Sequence, residues 1–178
     1  MKVLAGDIGG TKTAVAIVEF SEKRVSIERL RVYHSSGYSS LEEILGEYLE
    51  TVRQAPAAAG FGVAGPVIRG RAQLTKLPWV VDERAVSRAT GIGTVRVLND
   101  FVAAAYGIPS IAARRLKILQ RGRPERGGPI GLIGAGTGLG EAGLIEDRGR
   151  WIAIASEGGH TDFGPRNAVE DGLVRFVR

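Results

Sequence analysis

Apolar positions along this chain fall in short runs separated by glycine-rich turns. Val3-Leu4-Ala5 and Ala14-Val15-Ala16-Ile17-Val18 flank the turn Asp7-Ile8-Gly9-Gly10-Thr11-Lys12-Thr13. Ile130-Gly131-Leu132-Ile133 and Ala142-Gly143-Leu144-Ile145 flank a second, Gly134-Ala135-Gly136-Thr137-Gly138-Leu139-Gly140. Runs this short around a glycine turn predict paired strands. The alternating segment 25–33 adds a third strand, so residues 3–34 read as a β-meander. Beyond it the period lengthens: Leu41, Ile44, Leu45, Tyr48, Leu49 and Val52 recur at helical spacing behind Ser39 or Ser40, either of which can cap the helix. Gly60 to Ala64 predicts a buried strand ending at Gly65-Pro66, and Asp82 opens a short helix that closes at Gly91. Thr94 to Leu98 predicts a strand running directly into Asn99-Asp100 and the helical segment Phe101 to Tyr106. Gly107-Ile108-Pro109 breaks that helix, and residues 120–128 form the clearest loop. Trp151 to Ile154 adds a strand, and Asn167 opens a last helix bearing Val169, Leu173, Val174 and Phe176. The mixture is α/β, with a boundary near residue 109 between a first lobe, 1–109, and a second, 110–178.

Composition narrows the class. Hydrophobic residues make up 44% and charged residues 24% of the 178, which is globular. No apolar run reaches the ~18 residues of a membrane span, and Met1-Lys2 leads straight into a strand containing Asp7 instead of a signal peptide, so no membrane is expected. The absence of cysteine excludes disulfides and thiolate metal sites and fits a cytoplasmic setting. A net charge of +5 raises the question of nucleic acid. The densest basic group, Arg114, Arg115, Lys117, Arg121, Arg123 and Arg126, surrounds a Gly/Pro loop with no interleaved aromatics. It reads as a solvated loop, and no nucleic-acid partner is expected. The excess charge is compatible with an anionic substrate such as ATP.

The chemistry sits in the turns. Tips rich in Gly and Thr expose backbone N–H groups that can hold phosphate oxygens. Neither is a common nucleotide fingerprint: Thr11 separates Gly10 from Lys12, and Glu141 stands where a dinucleotide fingerprint needs its third glycine. Taken together, with Asp7 ahead of the first, the turns point to two lobes closing on one nucleotide, and Asp7 suits Mg²⁺ directly or through water. Asp100 reads either as a helix cap or as a general base taking a hydroxyl proton during attack on phosphorus, and Asn99 could do the capping instead. Glu157 and His160 share a turn with two glycines, where polar groups can converge on a small polyol. His160 alone would be read as a structural hydrogen-bonding residue. With no Cys and only His34 as a second imidazole, zinc is not expected.

These segments resemble the bacterial glucokinase family of the actin-like superfamily of sugar kinases. The resemblance rests on Gly6-Asp7-Ile8-Gly9-Gly10-Thr11, Leu77-Pro78-Trp79, Leu98-Asn99-Asp100-Phe101, the second glycine turn, and Glu157-Gly158-Gly159-His160-Thr161-Asp162-Phe163, all in family order. The related repressor/kinase family shares the first turn but usually carries a cysteine-rich zinc motif, absent here. The resemblance implies an actin-like (ribonuclease H-like) ATPase fold with a nearly complete first lobe and a partial second. It implies ATP- and Mg²⁺-dependent phosphorylation of glucose at its 6-hydroxyl, with Asn99, Asp100, Glu157 and His160 binding the sugar and Asp100 acting as base. Gly9, Gly10 and Thr11 would form one phosphate loop, and Gly136, Thr137 and Gly138 the other. Lys76 stands where members often carry Asn. Members are also longer, continuing into a further sugar-binding Glu, an adenosine-binding segment and a returning helix. The expectation is therefore either a kinase, or a sugar-binding fragment or half of a split kinase, with a second copy or chain as partner.

Overall fold

The computed structural model describes residues 1–21, 25–74, 76–123, 125–136 and 138–177. β1 (Lys2–Ile8) and β2 (Lys12–Phe20) form the first hairpin, with Leu4 opposite Ile17 and Ile8 opposite Thr13. β3 (Val25–His34) continues the meander, with a bulge at which Arg29 takes a positive φ of 52°. α1 (Leu41–Glu50) follows; of the two candidate serines Ser40 caps it, accepting from the Glu43 N–H, while Glu43 Oε2 accepts from the Ser39 N–H at 2.7 Å. β4 (Ala58–Val63) then pairs parallel to β1.

Three short strands come next: β5 (Val67–Ile68), β6 (Arg71–Gln73) and β7 (Val80–Asp82) form a separate small sheet. α2 (Glu83–Thr90) is capped by the Asp82 carboxylate at 2.9 Å from the N–H groups of Arg84 and Ala85, and ends at Gly91 in the left-handed conformation. β8 (Val95–Asn99) pairs parallel to β4 and runs into α3 (Asp100–Gly107). The main sheet has the order β3-β2-β1-β4-β8. β9 (Ile130–Ala135), β10 (Leu139–Asp147) and β11 (Arg150–Ser156) make an antiparallel second sheet, and α4 (Ala168–Val177) ends the chain, its first turn capped by Asn167 Oδ1. Among the described residues no helix is long and apolar enough to cross a membrane.

Register explains where the core lies. Leu4, Ile17, Ala59 and Val95 align across the main sheet, as do Phe61 and Val97, and all point to one face. There they meet Leu41, Ile44, Leu45 and Tyr48 of α1 and Val86 of α2, all at most 1% exposed. Gly6 lies opposite Phe61, and a Cβ there would sit 2.7 Å from the Phe61 ring, so the ring lies over the glycine.

α3 serves both sheets. Ala103 packs on Gly62 of β4, while Ala105 is fully buried against Ala142 and Leu144 of β10. The outer face of the second sheet is open, with Ile133, Ile145, Ile152 and Ile154 all exposed. The basic segment that includes Arg114, Arg115, Lys117, Arg121, Arg123 and Arg126 is exposed throughout its described residues.

Candidate functional site

Because β1, β4 and β8 are parallel, their carboxyl ends share one edge, where ligands of open α/β sheets bind. That edge carries Asp7, the Ala64-Gly65-Pro66 turn and Asn99-Asp100. A cleft of about 880 Å³ opens there, bounded on one side by Gly10 and Thr11 and on the other by Gly136, Gly138 and Gly140. Asn99, Asp100, Glu157 and His160 all line it.

The first turn is fixed from beneath. The Gly9 N–H donates to the Lys12 carbonyl at 3.0 Å, the Ser35 hydroxyl donates to the Gly9 carbonyl at 2.9 Å, and the Ser35 N–H donates to the Thr11 carbonyl at 3.0 Å. Thr13 Oγ1 is hydrogen-bonded to Ser35 Oγ at 3.0 Å, and both side chains are completely buried. These bonds occupy the Gly9 N–H, the Gly9, Thr11 and Lys12 carbonyls and the Thr13 hydroxyl, which leaves the Gly10 and Thr11 N–H groups of the tip to bind a ligand.

Asn99 caps α3. Its Oδ1 accepts from the Phe101 N–H at 2.9 Å and the Val102 N–H at 3.2 Å, and its Nδ2 donates to the Gly65 carbonyl at 3.1 Å. One Nδ2 hydrogen remains for a ligand. Asp100 shares only one of these contacts, its Oδ1 accepting from the Phe101 N–H at 2.9 Å, and the half-buried residue lines the cleft.

Asp7, whose side chain remains substantially exposed, has its carboxyl pushed above the ordinary 3.8 by burial and then by repulsion from the Asp100 carboxylate. The Asp7 and Asp100 carboxylates are near enough to repel one another, but of the two only Asp100 lines the cleft. Among the described residues no group of three or more His, Cys, Asp or Glu is arranged to hold a metal.

The raised Asp7 carboxyl links stability to pH. Between 3.8 and the raised value the folded chain holds more protons than the unfolded chain, so this group's contribution to stability falls as pH rises through that window. Asp7→Asn is therefore expected to melt above the parent at pH 7, with the difference fading below pH 3.8. Thermal melts across pH check it; an unchanged or lower melting temperature at pH 7 would contradict it.

The second turn is narrower than the glycine pattern predicts. Gly134 and Gly140 pair with each other inside β9 and β10, and the tip is closed by the Gly136 N–H donating to the Gly138 carbonyl at 2.8 Å. Thr137, the third candidate of this tip, lies outside the described residues. The Phe101 ring lies across the Gly134/Gly140 pair, and a Cβ at either position would run into it. Glycine at both is thus a requirement of packing as well as of any phosphate site.

Glu157 and His160 flank a short 3₁₀ turn. His160 Nδ1 lies 3.2 Å from Glu157 Oε2, and both residues line the cleft. Gly159 packs directly on the Leu139 carbonyl, with no room for a side chain, so this turn is held against the second hairpin. Behind it, Glu141 Oε2 accepts from the Ser156 hydroxyl at 3.2 Å, and Ser156 Oγ accepts from the Gly158 N–H at 3.1 Å. The sequence gives no signal for the Ser35–Thr13 support or the Glu141–Ser156 bridge, because each joins residues without a shared motif. Lys76 also lines the cleft.

A main sheet of order β3-β2-β1-β4-β8 and a second sheet facing it across a cleft of glycine hairpins define the actin-like (ribonuclease H-like) ATPase fold, in its sugar-kinase branch. The model of the glucokinase family matches residues 4–178, and the chain belongs to that family. It is 40% identical over 177 residues to the glucokinase of Nostoc punctiforme, covering 98% of this chain and 52% of that protein. A crystal structure of glucokinase from an Antarctic psychrotroph superposes with a TM-score of 0.85 at 29% identity, covering 98% of this chain and 55% of the other. A ROK family glucokinase from Streptomyces griseus, solved in complex with glucose and AMPPNP, gives a TM-score of 0.64 at 26% identity, covering 94% and 53%. The chain spans about half the length of the curated relatives it matches.

Proposed function

We propose that this chain carries the acceptor site and both phosphate loops of a glucokinase that transfers the terminal phosphoryl group of ATP to the 6-hydroxyl of glucose. The observation that carries the reading is the division of labour at the start of α3: Asn99 satisfies the helix end, and Asp100 lines the cleft between the two glycine tips. Asp100 would accept the 6-hydroxyl proton as that oxygen bonds to phosphorus and the bond from phosphorus to ADP breaks. Asn99, Glu157 and His160 would hold other sugar hydroxyls and fix the acceptor in line, which is most of what phosphoryl transfer asks of a protein. Gly10 and Thr11 would hold phosphate oxygens from one side, and Thr137 and Gly138 from the other; the Gly9 and Gly136 N–H groups, expected among these donors, are already given to the Lys12 and Gly138 carbonyls. Mg²⁺, held at Asp7, would neutralise phosphate charge.

In this reading residues 1–109 and 110–178 act as two lobes closing on the substrates, which excludes water as a competing acceptor. The setting is the cytoplasm, where ATP and free sugar meet. The test is glucose-dependent ADP formation from Mg-ATP by the purified chain. Formation of ADP at equal rates with and without glucose would contradict the assignment.

A protein partner belongs to the same reading. The open apolar face of Ile133, Ile145, Ile152 and Ile154 suits a second copy or a chain completing the second lobe, since contiguous exposed apolar surface marks an interaction site. The 178-residue chain is accordingly expected to self-associate, and a clean monomer by light scattering at high concentration would count against it.

A further inference from the structure

Charge in the cleft is lopsided. Asp100, Glu141 and Glu157 line it, and among its described lining residues Lys76 alone carries a fixed positive charge. A ligand bearing a phosphate meets three carboxylates and one ammonium.

Lys76 is placed by structure on both sides of it. It lies in the connection between β6 and β7, which is tied down by Trp79. The Trp79 carbonyl accepts from the Leu74 N–H at 3.1 Å and from Gln73 Nε2 at 3.0 Å, and the buried indole donates to the Tyr38 carbonyl at 3.2 Å. The Lys76 stem then rests on the first glycine turn: a Cβ at Gly10 would meet Lys76 Cβ at 2.7 Å and its Cδ at 3.3 Å. Gly10 is therefore the residue that lets this lysine lie against the tip. Among the described residues no carboxylate forms an ion pair with Lys76, so its ammonium is available to a ligand.

We propose that Lys76 is a phosphate-binding residue that holds the phosphoryl group in transit, on the nucleotide before transfer and on the sugar 6-oxygen afterwards. The inference rests on the kinase reading above. The hydroxyl proton goes to Asp100, and the lysine contributes charge alone. A lysine suits this task because its ammonium is a compact point charge on a flexible stem, able to follow a group that moves between two oxygens. The consequence is that the cleft accepts a sugar phosphate as well as the free sugar, in spite of its carboxylates. Without Lys76 the anionic ligand would be repelled while the neutral one would be unaffected.

The experiment is calorimetric titration of the 178-residue chain with glucose and, separately, with glucose 6-phosphate, repeated for Lys76→Gln and Lys76→Arg. Loss of a charge-assisted contact corresponds to roughly a 10–100-fold weakening. Lys76→Gln is expected to weaken glucose 6-phosphate by that factor and leave glucose within about twofold, while Lys76→Arg retains most of the phosphate affinity. Added salt is expected to erode the sugar-phosphate affinity of the parent and not that of Lys76→Gln. A parent that binds glucose but not glucose 6-phosphate, or a Lys76→Gln variant that weakens both ligands equally or neither, overturns the role of Lys76 and leaves the kinase reading in place. A parent that binds neither ligand overturns both.

Discussion

Asp100→Asn is expected to lower glucose-dependent phosphoryl transfer by roughly 10²–10⁴-fold, the usual contribution of a positioned general base, while glucose still binds. The substitution keeps shape and polarity, and its amide oxygen can still accept the Phe101 N–H that Oδ1 accepts in the parent. α3 keeps its cap as well, because Asn99 supplies it. What is lost is the ability to take a proton and the negative charge facing Asp7. Steady-state rates with the parent beside the variant, and glucose titration of both, separate the outcomes. Equal turnover rules Asp100 out as the base. Loss of glucose binding together with turnover assigns it to holding the sugar.

The largest effect on stability is expected at Phe61. Its ring is 1% exposed, lies over Gly6 of β1 and shares a row with Val97 of β8. Phe61→Ala removes a buried ring between strands whose backbones are pinned by parallel pairing, so the gap cannot close by local collapse. The expected loss is about 3–5 kcal/mol, a large share of the ~5–15 kcal/mol that holds a domain together. Denaturant unfolding followed by tryptophan fluorescence would show a lower midpoint with little change in slope. A loss below ~1 kcal/mol would mean that the neighbours relax into the space, contrary to the packing described.

The readable part of the fold was local. The meander, the α1 stripe, the Asp82 cap and the strand entering Asn99-Asp100 all carry their signal within a dozen residues, where apolar period and capping chemistry act. β5, β6 and β7 left no such signal: strands of two or three residues are too short to show alternation, and their sheet is held by Trp79 reaching back to Tyr38. The glycines of the second turn were visible, but the reason for two of them was not. Gly134 and Gly140 make room for Phe101, a residue more than thirty positions away in the chain. At the site, Asp7, Gly9, Thr11, Asn99, Asp100, Glu157 and His160 were legible as residue types able to meet phosphate or sugar; parallel pairing of β1, β4 and β8 brings Asp7 and Asn99-Asp100 to one edge, whereas Glu157 and His160 come from beyond β11 of the other sheet, and Asp7 and Gly9 do not line the cleft. The residues that steady them, Ser35, Thr13, Glu141 and Ser156, were silent because any serine, threonine or glutamate looks alike until its partner is known.

The aromatic ring set across the Gly134/Gly140 pair belongs to the residue immediately after Asp100. The acid and the second hairpin are therefore joined through one side chain. Whatever phosphate at the hairpin does to sugar affinity, sugar must do to phosphate affinity by the same factor. Enlarging either glycine would then register as altered cooperativity between two ligands, even where each still binds when offered alone.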